Sequence, residues 1–313
     1  MPPKLGYLLP TRERVMAGEH GAAALLRLAE RAEELGFASV WIGDSLLARA
    51  RHDPLTLMAA VAARTRTVEI GTAVLLPALR NPVVLAQQVA TADRISEGRI
   101  VLGIGIAADH PSIRAEFEAA GVPFEKRIGR LVEGMALCRA LWSGKPVDWD
   151  GRWKMTGAVL GPTPHRPGGP PLWNAASVPA GRQRTGRHFD GWFPNGPTPA
   201  QYTAQWAEVQ EAARAAGRDA AALTPAKYIT LAIDEDGGRA DARINDYLER
   251  YYNQPAAVIR KRQMCYGGPA AAVASLLKEY GDAGVRHFCV RFAGGDHDHQ
   301  LATLAKLRQD LGW

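Results

Sequence analysis

Cysteine is scarce in this chain, and it follows no pattern. Cys138, Cys265 and Cys289 are the three thiols in 313 residues. They form no CxxC pair and no even set able to staple a small secreted domain, so a reducing, cytoplasmic setting is expected. Cys138 falls in a helical pattern and Cys289 in a strand-like run, where each reads as a small buried hydrophobe. Long apolar runs are missing as well. The opening "MPPKLGYLLP" has one basic residue and a very short apolar stretch, so it does not read as a signal peptide, and nothing approaches membrane-spanning length. Charge of one sign is never concentrated. The 38 basic and 32 acidic residues, net +6, are interleaved without a dense Lys/Arg run. That bias fits an anionic small molecule or cofactor better than a nucleic acid or a membrane surface. No GxSxG and no HExxH is present, and "GIGIAA" (103–108) lacks the third glycine of a dinucleotide fingerprint.

What is present is a repeated alternation. Eight short apolar, β-rich runs occur at 4–10, 38–44, 68–76, 100–106, 171–177, 190–196, 226–234 and 285–293. Most are apolar almost throughout, the pattern of parallel strands covered on both faces. Helical periodicity fills much of the space between them, at 22–35, 54–64, 82–96, 127–142, 200–216 and 269–283. Pro54, Pro82 and Pro269 stand at first-turn positions, and Gly36 and Gly217 just past helix ends. Eight strand–helix alternations predict an α/β fold, a (β/α)8 TIM barrel, as one domain over 1–313. Two stretches exceed ordinary loops, 143–170 before strand five and 235–268 after strand seven. On a barrel, such insertions are candidates for lids or substrate loops.

A barrel of this kind builds its active site from the loops at the carboxyl ends of its strands. The candidates are Thr11, Arg12 and Arg14 in loop one, and Asp44, Ser45, Arg49, Arg51 and His52 in loop two. Arg80 and Asn81 follow in loop three, Asp109 and His110 in loop four, Asn174 and Ser177 in loop five, and Asn195 in loop six. Loop eight, "RFAGGDHDH", completes the set. Asp44 either ties its own loop or faces a ligand. His110, before Pro111, either starts a helix or acts in catalysis, with Asp109 beside it. The "DHDH" of 296–299 reads as a helix cap rather than a metal cluster, because no further ligand set accompanies it. Loop five is more specific. "WNAASVP" ends a strand in small residues and opens a helix near Val178 to Ala180. Small side chains let backbone approach a ligand, and helix N-terminal N–H groups suit phosphate, with Ser177 adding a hydroxyl.

The ordered set "ELGFASVWIGD", "DPLTLMAAVAARTRTVEIGTAVLLPALRNPVVLAQQVATADRISEGRIVLGIGI", "EFEAAGVPFEKR", "LWSGKPVDWDGRW" and "GPPLWNAAS…GRHFDGW" resembles the bacterial luciferase-like flavin and deazaflavin oxidoreductases over nearly the whole chain. The resemblance implies a (β/α)8 barrel with an insertion and a flavin or deazaflavin ring, FMN or coenzyme F420, at its mouth. Asp44, Ser45, Ala73, Val74 and Gly105 are then expected near the ring, with a non-prolyl cis peptide at Ala73–Val74. The backbone at Ala175, Ala176 and Ser177 is expected at the phosphate, and Asp44, Asp109 and His110 are the catalytic candidates. It also implies hydride transfer or monooxygenation on a small organic substrate, a flavin reductase as supplier if reduced FMN is used, and a homodimer. A non-catalytic flavin-binding barrel is the alternative. Ser45 stands where sugar-phosphate dehydrogenases of this group carry histidine, and Ala108 where they carry glutamate. No basic residue stands in 193–199. These departures argue against glucose-6-phosphate as substrate.

Overall fold

The computed structural model describes residues 2–313. In chain order the elements are β1 (Lys4–Leu8), α1 (Thr11–Met16), α2 (Ala23–Glu34), β2 (Ser39–Ile42), α3 (Pro54–Arg64), β3 (Glu69–Leu75), α4 (Pro82–Ile95) and β4 (Ile100–Ile104). Next come α5 (Pro111–Ala119), α6 (Arg127–Trp142), β5 (Val147–Asp150), β6 (Lys154–Ala158), β7 (Leu172–Asn174), α7 (Pro179–His188), β8 (Gly191–Trp192) and α8 (Pro199–Ala215). The chain ends with β9 (Thr224–Ile233), α9 (Gly237–Tyr252), α10 (Ala256–Arg260), β10 (Cys265–Gly268), α11 (Ala270–Asp282), β11 (His287–Phe292) and α12 (His297–Asp310).

Each of the eight apolar runs contains one barrel strand. Parallel pairing runs β1–β2–β3–β4–β7–β8–β9–β11 and returns to β1, which closes the barrel. Several helices begin where a polar cap meets proline: Asp53 accepts from Thr56 N–H ahead of Pro54, and Asn81 from Val83 N–H ahead of Pro82. Thr198 and Gln201 form a reciprocal capping box at α8. Asp296 caps α12 through His299 N–H, so the "DHDH" run starts a helix.

Inside the barrel, small residues make room for large ones. Trp41, Trp173 and Phe193 fill the centre with ring centroids 4.9 to 6.0 Å apart. A Cβ on Gly71 would lie 2.1 Å from Trp41, and one on Gly103 would lie 2.1 Å from the Thr72 carbonyl, so the layer cannot take a larger residue at either position. Below it, Ser39 joins the rings of His287 and Trp41 at 2.7 Å each. Above it the interior turns polar, with Tyr228, Thr230 and Arg291 facing the mouth.

The two insertions fold differently. Within 143–170, β5 and β6 make a small antiparallel sheet. Within 235–268, α9 and α10 pack over the barrel and β10 pairs parallel with the upper half of β9, beyond the point where short β8 stops. The helical periodicity expected at 22–35 and 200–216 matches α2 and α8, and α5 starts at Pro111 as one reading of His110 had it, whereas α1, α9, α10 and β10 were not anticipated. α1, α10 and β10 are too short to carry a period of their own, whereas α9 does bury one face, Ala240, Ile244, Tyr247, Leu248 and Tyr251.

Candidate active site

A cavity of about 750 Å³ opens at the carboxyl ends of the barrel strands. Its wall gathers Asp44, Ser45, Ala73, Val74, Gly105, Ala175, Ala176 and Ser177 from four separate loops. That volume lies within the range of small-molecule and cofactor sites.

One side of this mouth is a closed polar network. The Asp44 side chain is 1% exposed and accepts two bonds from the Arg80 guanidinium at 2.5 and 3.0 Å, plus one from Leu76 N–H at 2.9 Å. Burial works against the charge on Arg80, and the Asp44 carboxylate more than offsets it, so the guanidinium stays protonated. Ser45 donates to Glu116 at 2.8 Å and accepts from Arg49 N–H at 2.9 Å. The same Glu116 oxygen also takes the backbone N–H groups of Leu46 and Leu47. Glu116 is 1% exposed, and it organises loop two from 71 residues away in sequence. Asp44 and Ser45 therefore line the cavity with their hydrogen-bonding capacity already committed.

A flat bed lies beside them. The Ala73–Val74 peptide is cis, as the resemblance implied, and the β3–β4 register shifts between Thr72 and Leu75. A Cβ on Gly105 would sit 2.7 Å from Val74 Cγ2, so glycine keeps this surface open. Next to it, after the neighbouring strand β7, Ala175, Ala176 and Ser177 lead into α7, which has Val178 at its N-cap and no side-chain cap. Ser177, Val178 and Gly181 line the cavity at this helix start, beside Arg184. Burial lowers the basicity of Arg184. Among the described residues, no carboxylate pairs with Arg184, Lys261 or Arg262, all of which line the wall.

Loop four divides. Ala107 and Ala108 line the cavity, with Ala107 in the left-handed region at φ 61°. Asp109 and His110 lie outside the wall. Asp109 is forked by Arg114 at 2.7 and 2.8 Å, which holds its carboxyl below the usual range. His110 is the N-cap of α5, its Nδ1 at 2.8 Å from Ser112 Oγ.

The far wall holds what residue-by-residue reading missed. Arg291 is 2% exposed and donates to Thr230 at 2.8 and 3.1 Å and to the Tyr252 hydroxyl at 3.0 Å. Its guanidinium also lies 4.8 to 5.6 Å from the ring centroids of Tyr228, Tyr247, Tyr251 and Tyr252. Arg49 covers the Tyr252 ring at 4.7 Å, Arg12 covers Tyr251 at 4.9 Å, and Arg51 donates to the Tyr251 hydroxyl at 2.9 Å. Glu13 accepts from Tyr247. A signal for Arg291 was present: in "HFCVRF" the period of two places it on the inward face with His287 and Cys289. Tyr228 comes from β9, and Tyr247, Tyr251 and Tyr252 come from α9, inside an insertion whose sequence carries no motif.

Comparison with known proteins agrees with this geometry. A profile of the luciferase-like monooxygenase family matches residues 3–312. An F420-dependent glucose-6-phosphate dehydrogenase of Amycolatopsis mediterranei (strain U-32) is 32% identical over 97% of this chain and 96% of that protein. Among solved structures, an F420-dependent secondary alcohol dehydrogenase in complex with an F420–acetone adduct superposes with a TM-score of 0.85 at 22% identity, covering 99% of each chain. A monooxygenase from Streptomyces bottropensis gives 0.82 at 24% identity, over 99% of this chain and 100% of the other. A (β/α)8 barrel with a cis-peptide bed at its mouth, matched along its whole length by this profile, is a member of the luciferase-like monooxygenase family.

Proposed function

We propose that the protein is an F420-dependent oxidoreductase that interconverts a small alcohol and its carbonyl compound. The carrying observation is the bed. The cis Ala73–Val74 peptide and Gly105 line one stretch of the cavity wall, and Ala175 to Ser177, following the neighbouring strand β7, continue it to the uncapped start of α7. A Cβ at Gly105 would lie 2.7 Å from Val74 Cγ2, so a larger residue there would push Val74 out of its place in the wall. Ala175, Ala176, Ser177 and Arg184 would hold the phosphate, which suits helix N–H donors and a cation. Bound there, the deazaflavin supplies hydride acceptance and donation; the chain supplies placement, exclusion of water and proton handling. The names of the relatives, a sugar-phosphate dehydrogenase and a secondary alcohol dehydrogenase, both F420-dependent, support this direction.

The substrate's own charge is open to test. Segment 193–199 brings no cation, as its sequence indicates, but Lys261 and Arg262 reach the same wall from the second insertion, with the Arg262 carbonyl 3.1 Å from where a Gly196 Cβ would be. Two unpaired cations there suit an anionic group, so glucose 6-phosphate and a neutral secondary alcohol are the two substrates to compare. Titration of the purified protein with F420 and with FMN, followed by fluorescence quenching, tests the reading. Micromolar affinity for F420 supports it. Affinity for FMN alone, with oxygen-dependent turnover and a reductase partner, transfers the protein to the monooxygenase side of the family. A homodimer in the cytoplasm belongs to the same proposal, with light scattering as its check. Among the described residues, no helix is long and apolar enough to cross a membrane.

A further inference from the structure

The cavity wall raises a question that the bed does not answer: which side chain handles the substrate's proton? Among the described residues the wall carries no histidine or cysteine. Its two carboxylates are committed, Asp44 to Arg80 and Glu116 to loop two. Asp109 and His110 stand outside it. Three tyrosines remain, Tyr228, Tyr251 and Tyr252.

We propose that Tyr252 is the acid–base group of the reaction, exchanging the substrate's hydroxyl proton through its phenolic oxygen. The inference rests on the reading that a deazaflavin occupies the bed, since that ring is the oxidant. In the oxidative direction the substrate O–H bond breaks and its proton passes to the Tyr252 phenolate. The carbon–hydrogen bond breaks with its electron pair leaving for the oxidised deazaflavin, and the carbonyl bond forms. Reduction reverses each transfer, with Tyr252 O–H protonating the carbonyl oxygen.

The surroundings of Tyr252 suit that exchange. It closes α9 at Asn253, whose left-handed backbone (φ 50°) ends the helix, and is half-buried on the cavity wall. Arg291 from β11 donates to its oxygen at 3.0 Å, and Arg49 from loop two lies over its ring. Tyr251 from α9 and Tyr228 from β9 are the neighbouring titratable groups. Burial alone would raise the phenol's pKa. The charges of Arg291 and Arg49 and the hydrogen bond donated by Arg291 outweigh it, so Tyr252 is held below the usual tyrosine range while Tyr228 is pushed well above it.

Gln263 adds a second, independent observation. It is 5% exposed, its Oε1 accepts from Tyr252 at 3.2 Å, and its Nε2 is buried with no partner. A buried amide with an unused donor is costly. A half-turn of the amide exchanges the two atoms. The same Gln263 then accepts from the phenol and donates to the phenolate, so both protonation states of Tyr252 are satisfied without moving the backbone.

The experiment uses the intact protein, its Tyr252→Phe and Gln263→Leu variants, and F420. In cofactor-free protein, tyrosinate absorbance followed against pH should show one tyrosine ionising ahead of the rest. That step should vanish in Tyr252→Phe and move to higher pH in Gln263→Leu. With F420 bound, Tyr252→Phe should keep the affinity within about threefold and lose about 10²–10⁴-fold in turnover, the usual range for an acid–base group. The rise of oxidation rate with pH should disappear with it. Full turnover in Tyr252→Phe with F420 bound overturns the proposal and leaves the proposed function standing, as does an unchanged tyrosinate curve. Failure of the wild type to bind F420 overturns the reading of the bed, and the proposal falls with it.

Discussion

Arg80, half-buried, and Arg291, buried, are both cations at the mouth of one barrel, and they are held in opposite ways. Arg80 meets a carboxylate in a forked pair with Asp44 and also reaches Asp53 at 3.3 Å. Arg291 has, among the described residues, no carboxylate partner; a threonine hydroxyl, a tyrosine hydroxyl and four aromatic faces hold it. The first charge is cancelled where it stands. The second projects into the cavity and acts on whatever lies beside it. A neutralised pair braces a loop, whereas an unneutralised cation tunes the acidity of its neighbours.

Asp44→Asn is the strongest way to break this contrast. It leaves the half-buried Arg80 with only the more exposed Asp53 as counter-charge and should cost about 1–3 kcal/mol of stability in denaturant unfolding. Replacing both partners, as in Asp44→Leu with Arg80→Met, should cost less than the single change, because no uncompensated charge remains. A single Asp44→Asn variant as stable as wild type would show that the pair is not a brace. Glu116→Ala attacks the same closed side. Ser45 and the N–H groups of Leu46 and Leu47 lose their acceptor, and the loss should be about 1–3 kcal/mol because water can reach part of the loop.

β11 carries the comparison down its own inward face. Arg291 stays charged at the top, while His287, 3% exposed beside Ser39, is kept neutral below it, its pKa pushed down to about 3 by burial and then by Lys4. An unfolded histidine titrates near 6.5. Between about pH 6.5 and 3 the unfolded chain holds a proton that the folded chain refuses, so this group lowers stability as pH falls, by about 1.4 kcal/mol per pH unit. Above pH 6.5 it contributes no slope. His287→Gln keeps a bond to Ser39 and should flatten the acid limb of the stability curve by about one proton. An unchanged limb would mean that the ring protonates inside the folded barrel.

The barrel was legible because each strand is covered on both faces, which makes its residues apolar nearly throughout, and because parallel strands need helices between them. The cis peptide at Ala73–Val74 was legible through resemblance, and Ala73, Val74, Gly105 and Ala175 to Ser177 share one cavity wall. The polar partnerships were not legible. Glu116 meets Ser45 across 71 residues and Arg51 meets Tyr251 across 200, and no local spacing encodes such pairs. Asp44 shows the same limit, for its two readings, tying a loop or facing a ligand, differ only in whether Arg80 arrives. Tyr252 is harder still, since it comes from an insertion and its acidity depends on Arg49 of loop two and Arg291 of β11.

Ser177 sharpens the contrast at its smallest scale. It is exposed at the cavity rim, and its side chain does not cap α7. Unlike Ser45, it has spare hydrogen-bonding capacity facing the proposed phosphate seat. Ser177→Ala should therefore weaken F420 binding by about 0.5–1.5 kcal/mol, the value of one hydrogen bond, with the melting temperature unchanged. Ser45→Ala should do the reverse, lowering stability while affinity per folded molecule holds. If thermal stability falls in Ser177→Ala and affinity does not, the two serines have exchanged roles, and the phosphate seat belongs elsewhere on the wall.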